Sequence, residues 1–141
     1  QAAVSMVAQV WRAREEPPQF RDFAKTRTVL RYYAKNRTTL TPRDAAAAFF
    51  AAGKLNCRVA FASGEDTLCR GPRMALLRDD LAACAAQLHS KDLCNILLAS
   101  HYMRVTDERF LAPMCAQAAR KAEQFSPRDV ATAVYALGKL G

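Results

Sequence analysis

Apolar residues recur at three- and four-residue spacing over three stretches of the chain, a pattern typical of helices that bury one face. The stretches cover residues 22–37, 74–87 and 107–124. In the last of them the apolar positions are Phe110, Leu111, Met114, Cys115, Ala118 and Ala122. We call these three predicted elements the B helices.

Three shorter apolar runs alternate with the B helices, and each follows a helix-start signal. The runs cover residues 45–52, 93–100 and 130–137. The signals are Leu40-Thr41-Pro42-Arg43-Asp44, Leu88-His89-Ser90-Lys91-Asp92 and Phe125-Ser126-Pro127-Arg128-Asp129. In two of them a Thr or Ser can cap the helix, Pro suits its first position and Asp suits its first turn. We call these elements the A helices, and we expect Gly53 and Gly138 to end two of them.

An earlier A helix, without a cap, is predicted over residues 4–14. The equivalent positions Val4, Ala45, Leu93 and Val130 lie 41, 48 and 37 residues apart, and a surface loop at residues 57–67 lengthens the longest interval. A period of this length with two helices per unit predicts an all-α fold, an α-solenoid of antiparallel helix pairs. About three and a half repeats are expected, at residues 1–39, 40–87, 88–124 and, in part, 125–141. The alternative is an ordinary helical bundle with coincidental capping signals.

The blocks at residues 41–56 and 126–141 resemble the first helix of the octotricopeptide and heptatricopeptide repeats. The second block reads Ser-Pro-Arg-Asp-Val-Ala-Thr-Ala-Val-Tyr-Ala-Leu-Gly-Lys-Leu-Gly. Such repeats also occur beside RAP domains and in FAST-kinase-like proteins. The resemblance implies a similar two-helix unit. It also implies work on RNA in mitochondria or chloroplasts, in transcript maturation, in transcript stability or within organelle ribosomes.

The net charge of +8 is unevenly placed along the chain. Residues 1–43 hold nine Lys and Arg against three acids, whereas the remaining residues hold twelve against ten. A basic end on a nearly balanced body indicates a polyanionic partner at that end. The alternative is that the charge serves only solubility.

The densest group of basic residues lies on the first B helix. Arg27, Arg31 and Lys35 are spaced four residues apart, which places them on one helix face. The helix carries no acid beyond its first predicted residue. Of Tyr32 and Tyr33, we expect one to pack inward and the other to be able to stack on a base or sugar. The pattern predicts contacts with RNA phosphates, unless the charges form only a solvated face.

The A helices offer a second candidate site. Arg43, Lys91 and Arg128 each hold the second helical position, close to helix N-termini that favour phosphate. An aspartate follows each of them and lowers the local potential, so a solvated charge is the alternative here too. The complete set of predicted RNA-binding residues is Arg21, Lys25, Arg27, Arg31, Tyr32, Lys35, Arg37, Arg43, Lys91 and Arg128.

The sequence contains no constellation typical of an enzyme. It has no Gly-rich phosphate loop, Ser-His-Asp set or zinc-ligand spacing, and His89 and His101 stand where the other blocks carry cap and glycine residues. The five cysteines form no Cys-x-x-Cys pair. We expect them to be small buried apolar residues in a reducing compartment, although Cys57 and Cys69 flank a loop and could pair. We therefore predict a non-enzyme with no catalytic residue, cofactor, metal or small-molecule substrate.

Together with the basic end of the chain, the resemblance implies an RNA-associated protein of the mitochondrial matrix, a structural component of an organellar ribosome or similar ribonucleoprotein that contacts rRNA phosphates and neighbouring proteins. The alternative is a scaffold subunit of a mitochondrial membrane complex or other multiprotein complex, with apolar faces exposed at Phe49-Phe50 and Val134-Tyr135. No apolar run of about 18 residues is present, so no membrane span is expected. The chain lacks an initiator Met and a signal-peptide pattern, which favours a processed protein or a piece of a longer one.

Overall fold

The computed structural model describes residues 20–59 and 69–141, which form six α-helices and no strand. The helices are α1 (Thr26–Asn36), α2 (Pro42–Val59), α3 (Pro72–Ala83), α4 (Ser90–Tyr102), α5 (Glu108–Arg120) and α6 (Pro127–Leu140). Helices α1, α3 and α5 are the predicted B helices, and α2, α4 and α6 are the predicted A helices. The predicted all-helical class is confirmed. The predicted A helix at residues 4–14 lies outside the described residues.

The six helices pack in two layers. Helices α2, α4 and α6 contact one another in chain order, and the pairing of α2 with α4 is the most extensive in the described part of the chain. Helices α1, α3 and α5 also contact one another in chain order and cover α2 and α4 from one side. The core lies between the layers, where Phe49 of α2 meets Phe110 of α5 with ring centroids 5.2 Å apart.

The A helices begin where the capping signals place them. At the start of α2, the Asp44 N–H donates to Thr41 Oγ1 at 3.2 Å and the Thr41 N–H donates to Asp44 Oδ2 at 2.9 Å, which is a reciprocal capping box. At the start of α6, the Asp129 N–H donates to Ser126 Oγ at 3.1 Å. These bonds join residues three apart, so the starts are encoded locally.

The prediction that Gly53 and Gly138 end their helices is wrong. Helix α2 continues past Gly53 to Val59, and α6 continues past Gly138 to Leu140. A Cβ on Gly53 would lie 2.7 Å from the Cβ of Ala99 on α4. Gly53 is therefore a close-approach residue that lets α2 and α4 touch, while nothing lies within 4 Å of the equivalent point at Gly138.

Helix α4 ends in a left-handed residue that is not glycine. Arg104 has φ 54°, the only positive φ at a non-glycine position in the described residues. The Arg104 N–H donates to His101 O at 3.1 Å and the Val105 N–H donates to Ser100 O at 2.9 Å. This is the Schellman arrangement, with Val105 buried beneath it.

The predicted B helices end earlier than their apolar patterns suggested. Helix α3 stops at Cys84 (φ −108°, ψ 17°) and α5 stops at Lys121 (φ −103°, ψ 14°). Each stop is followed by a short 3₁₀ turn, Ala85–Gln87 or Ala122–Gln124. The two endings share one backbone conformation 37 residues apart, which is the interval between the last two A helices.

Candidate nucleic-acid interface

Helix α1 presents its basic residues on the side opposite the core. Its buried residues are Thr26, Val29, Leu30 and Tyr33, at three- and four-residue spacing. Arg27, Arg31 and Lys35 are exposed on the other side. Among the side chains that the structure describes, no carboxylate forms an ion pair with any of these three. We call Arg27, Arg31 and Lys35 the α1 basic face.

The start of α1 extends this positive region. Lys25 occupies the N-cap position, is exposed and makes no side-chain capping bond. The first turn of α1 carries no acid. Cations at a helix N-terminus oppose the helix dipole, so this arrangement costs some helix stability. Arg21 belongs to the preceding short turn, Phe20–Asp22, and its side chain lies outside the described part of the structure.

Tyr32 lies in an aromatic cluster at the edge of α1. Its ring meets those of Phe20 and Phe23 edge to face, with centroids 5.7 Å apart in both cases. Burial, together with the negative charge of Asp44, raises the pKa of the Tyr32 hydroxyl above its ordinary value. The ring remains half-buried, so only part of it is available to a base.

Tyr33 and Arg37 are joined to a single carboxylate on α3. The Tyr33 hydroxyl donates to Asp80 Oδ2 at 2.6 Å, while Arg37 donates to Oδ2 at 3.0 Å and to Oδ1 at 2.6 Å. The Arg37 hydrogen bonds lower the pKa of Asp80, and burial, followed by the bond to Asp80, raises that of Tyr33. Of the expected RNA-binding residues, Arg37 is thus engaged in an α1–α3 bridge. Tyr33 is the inward-packing tyrosine.

Two of the three predicted A-helix cations are paired with the next A helix. Arg43 Nε of α2 lies 3.3 Å from Asp92 Oδ2 of α4, and Lys91 Nζ of α4 lies 2.9 Å from Asp129 Oδ1 of α6. We call these two ion pairs the aspartate ladder. Each cation stays more than half exposed, so it retains a hydrated side. Arg128, in the same position of α6, is exposed and has no carboxylate partner in the described part of the chain.

Sequence reasoning identified these cations but missed their partners. Asp92 and Asp129 were predicted only as helix-start residues, and no role was predicted for Asp80. The buried Asn56 was also missed, and it donates from Nδ2 to Tyr102 O at 3.3 Å to tie the ends of α2 and α4 together. One signal was available. Once the A helices are aligned and stacked in order, the cation of one block faces the aspartate of the next.

The two apolar faces expected of a scaffold differ in how far the structure exposes them to solvent. Phe49 is fully buried and Phe50 is half-buried, so the expectation of an exposed face there is wrong. The Phe49 ring packs against Phe110 of α5, and Lys54 Nζ lies 5.0 Å from the centre of the Phe50 ring. Val134 and Tyr135 of α6 are exposed, as expected.

The described residues show no other grouping with evident chemistry. They contain no cluster of three or more potential metal ligands and no helix long and apolar enough to cross a membrane. Burial raises the pKa of the Cys84, Cys94 and Cys115 thiols, which disfavours the reactive thiolate. The Cys57 side chain lies outside the described part, so its pairing with Cys69 stays a prediction.

Comparisons with family models, curated proteins and solved structures gave no match.

Proposed function

We propose that this chain is a non-enzymatic, RNA-associated α-solenoid that binds RNA phosphates through the α1 basic face. The observation that carries the proposal is the exposure of Arg27, Arg31 and Lys35 on one side of a helix without acids. Over eight residues these side chains span about 12 Å along the helix axis. That length suits contact with successive phosphates, and such contacts position RNA without reading its sequence.

The cost of this arrangement supports a role beyond solubility. Lys25 and Arg27 stand at the N-terminus of α1, where the helix dipole disfavours positive charge. No acid in the first turn offsets them. Departures from local helix rules are expected at functional sites, because the partner compensates for them.

The remaining cations rank below the α1 basic face. Arg37, Arg43 and Lys91 each pair with an aspartate of another helix, so phosphate must compete with a carboxylate already in place. Arg43 and Lys91 are the better secondary contacts, since both sit in the first turn of a helix and stay exposed. We infer that α1 is the primary RNA-binding site and that the aspartate ladder makes only secondary contacts.

The repeat architecture belongs to the same proposal. The stacking order within each layer and the matching backbone at Cys84 and Lys121 support an array of helix pairs with units at residues 1–39, 40–87, 88–124 and 125–141. The resemblance to octotricopeptide and heptatricopeptide repeats supports a mitochondrial location. A short array of this kind suits a structural component of an organellar ribosome or similar ribonucleoprotein better than an autonomous reader of RNA sequence.

Fluorescence anisotropy with a labelled single-stranded RNA tests the α1 site. The variant Arg27→Glu, Arg31→Glu, Lys35→Glu should lose binding at low salt. The matched control, Arg73→Glu, Arg109→Glu, Arg120→Glu, makes the same charge change at three exposed positions on α3 and α5 and should retain most of the affinity. Equal losses in both variants would show that only net charge matters, and absence of wild-type binding would overturn the proposal.

A second candidate function is a protein–protein scaffold, and the observation that favours it is the exposed apolar side of α6. Of the residues the structure describes, the large apolar side chains that are well exposed, Val130, Val134, Tyr135 and Leu137, all belong to this helix. A scaffold without RNA would leave the α1 basic face unused, so the same titration separates the two functions.

A further inference from the structure

The A helices share a surface on the side that faces away from the B helices. On α2, Phe49 packs against a B helix, and the opposite side of α2 carries Arg43, Ala47, Phe50 and Lys54 at three- and four-residue spacing. None of these four is buried. The equivalent residues, also not buried, are Lys91, Asn95, Leu98 and Tyr102 on α4 and Arg128, Thr132, Tyr135 and Lys139 on α6. We call these residues of α2, α4 and α6 the outer A face.

An aromatic ring with a lysine beside it occupies the same place on α2 and on α6. Lys54 Nζ lies 5.0 Å from the centre of the Phe50 ring, and Lys139 Nζ lies 5.7 Å from the centre of the Tyr135 ring. In each pair the lysine follows the ring by four residues, so the two lie on one side of the helix. The outer A face thus repeats a combination of a flat ring and a positive charge.

Helix α4 lies between α2 and α6 and adds further rings to this face. The His101 ring lies 5.6 Å from the ring of Tyr102 and 5.6 Å from the ring of Tyr135 on α6. Tyr135 itself is 53% exposed. Because the same side of α2 and α4 also lies at the surface, this exposure is a property of the whole layer and not of α6 alone.

The outer A face is positively charged where the rings lie. Beyond its third residue, none of the helices α2, α4 and α6 contains an Asp or a Glu. Lys54 and Lys139 are exposed, and among the described side chains no carboxylate forms an ion pair with either of them. Lys54 lies more than one turn before the end of α2, so the helix dipole does not account for its position.

A nucleotide matches a ring with a neighbouring ammonium group, because it joins a flat base to a phosphate. An exposed cation–π contact is weaker than the stacking of a base on the same ring. A base can therefore replace the ammonium group on the ring, and the displaced ammonium group can then bind the adjoining phosphate. An acidic peptide matches the lysines only.

We propose that the outer A face binds single-stranded RNA, with bases stacked on Phe50 and Tyr135 and phosphates bound by Lys54 and Lys139. This inference rests on the proposed function and adds the class of RNA. Phosphate contacts at the α1 basic face are open to single and double strands alike. Bases paired in a duplex are not accessible to the rings, so the outer A face selects unpaired RNA.

Anisotropy with a single-stranded RNA and with a duplex of the same length tests the role of the ring. Tyr135→Ala should weaken binding of the single strand about fivefold or more and leave duplex binding unchanged. Tyr135→Trp should keep the affinity, because an indole ring also stacks. The matched control is Val134→Ala, which shortens the adjacent exposed side chain on a different side of α6 and should bind both RNAs like the wild-type chain.

The salt dependence of single-strand binding separates the lysines from the ring. Replacing Lys54 and Lys139 together by alanine should lower the slope of log affinity against log salt by about 1.4, since each phosphate contact to a single strand contributes about 0.7. Tyr135→Ala should lower the affinity and leave the slope unchanged, because a stacked ring neutralises no phosphate.

Two outcomes would overturn the proposal. The first is single-strand affinity that Tyr135→Ala leaves unchanged or weakens no more than duplex affinity. The second is a polyglutamate peptide whose binding to the chain depends on Tyr135 as strongly as RNA binding does, which would assign the face to an acidic peptide. A loss with Tyr135→Ala while the glutamate variant of the α1 basic face binds normally would overturn the α1 site alone, so the two proposals fail separately.

Discussion

The ammonium group of Lys91 lies 2.9 Å from the carboxylate of Asp129 and joins the first turn of α4 to the first turn of α6. Arg43 and Asp92 connect α2 to α4 in the same way. Each aspartate also lies where the dipole of its own helix favours negative charge. One carboxylate thus serves its own helix and fixes the position of the neighbouring helix.

The Lys91–Asp129 pair predicts a specific dependence of stability on pH. The hydrogen bond from Lys91, the largest cause, lowers the pKa of Asp129 below its ordinary value. The pair therefore stabilises the fold above the ordinary carboxyl pKa, and its contribution is lost as the pH falls through the lowered pKa. Asp129→Asn should reduce the free energy of unfolding by about 0.5–1 kcal/mol at neutral pH.

Urea unfolding across a pH series measures this effect. The difference between wild type and Asp129→Asn should narrow as the pH falls below about 4. Asp79→Asn, at an exposed aspartate, is the matched control and should stay close to wild type. A difference between Asp129→Asn and wild type that stays constant with pH would be inconsistent with the ion pair.

Removing the Asp80 carboxylate should destabilise the fold more than removing the Lys91–Asp129 ion pair. Asp80 accepts from Tyr33 and twice from Arg37. Asp80→Ala leaves the buried Tyr33 hydroxyl without its acceptor, whereas water can replace the carboxylate at the exposed Arg37, and the change should reduce the free energy of unfolding by about 1–3 kcal/mol. A double-mutant cycle with Arg37→Met should show a favourable coupling energy between Arg37 and Asp80. Additive losses in the two single variants would show that the bridge contributes nothing.

The two helix glycines should respond to alanine in opposite directions. Gly53→Ala should destabilise the fold by about 1–3 kcal/mol, because its Cβ would meet Ala99 at 2.7 Å and force α2 from α4. Gly138→Ala should stabilise it by about 0.5–1 kcal/mol, since the position is exposed and helical. Thermal unfolding of both variants provides the measurement, and an equal gain in both would contradict the close approach of α2 and α4.

The left-handed residue at the end of α4 offers a stabilising substitution. Arg104→Gly should raise the free energy of unfolding by about 1 kcal/mol, because glycine adopts φ 54° without steric cost. Arg104→Ala removes the same side chain and keeps the strain, so it serves as the control. Chemical denaturation should rank glycine above arginine and alanine, and equal stability of the two variants would refute the strain at this position.

Local sequence signals predicted where the helices start. They could not predict which residues of different helices contact one another. Thr41 and Asp44 lie three residues apart, so their capping box is legible in a short segment. The role of Gly53 depends on Ala99, which belongs to another helix, and the helix-ending rule for glycine failed there. The same limit applied to Arg37, whose acceptor Asp80 lies on α3. The outward side of α1 was predictable because periodicity alone determines it.

The salt dependence of RNA affinity tests the central claim most directly. Each phosphate contact to a single strand contributes about 0.7 to the slope of log affinity against log salt. Replacing Arg27, Arg31 and Lys35 by alanine should therefore lower that slope by about 2, and alanine at Arg73, Arg109 and Arg120 should leave it unchanged. The same slope in both triple variants, or no RNA binding by the wild-type chain at low salt, would contradict a phosphate-binding face on α1.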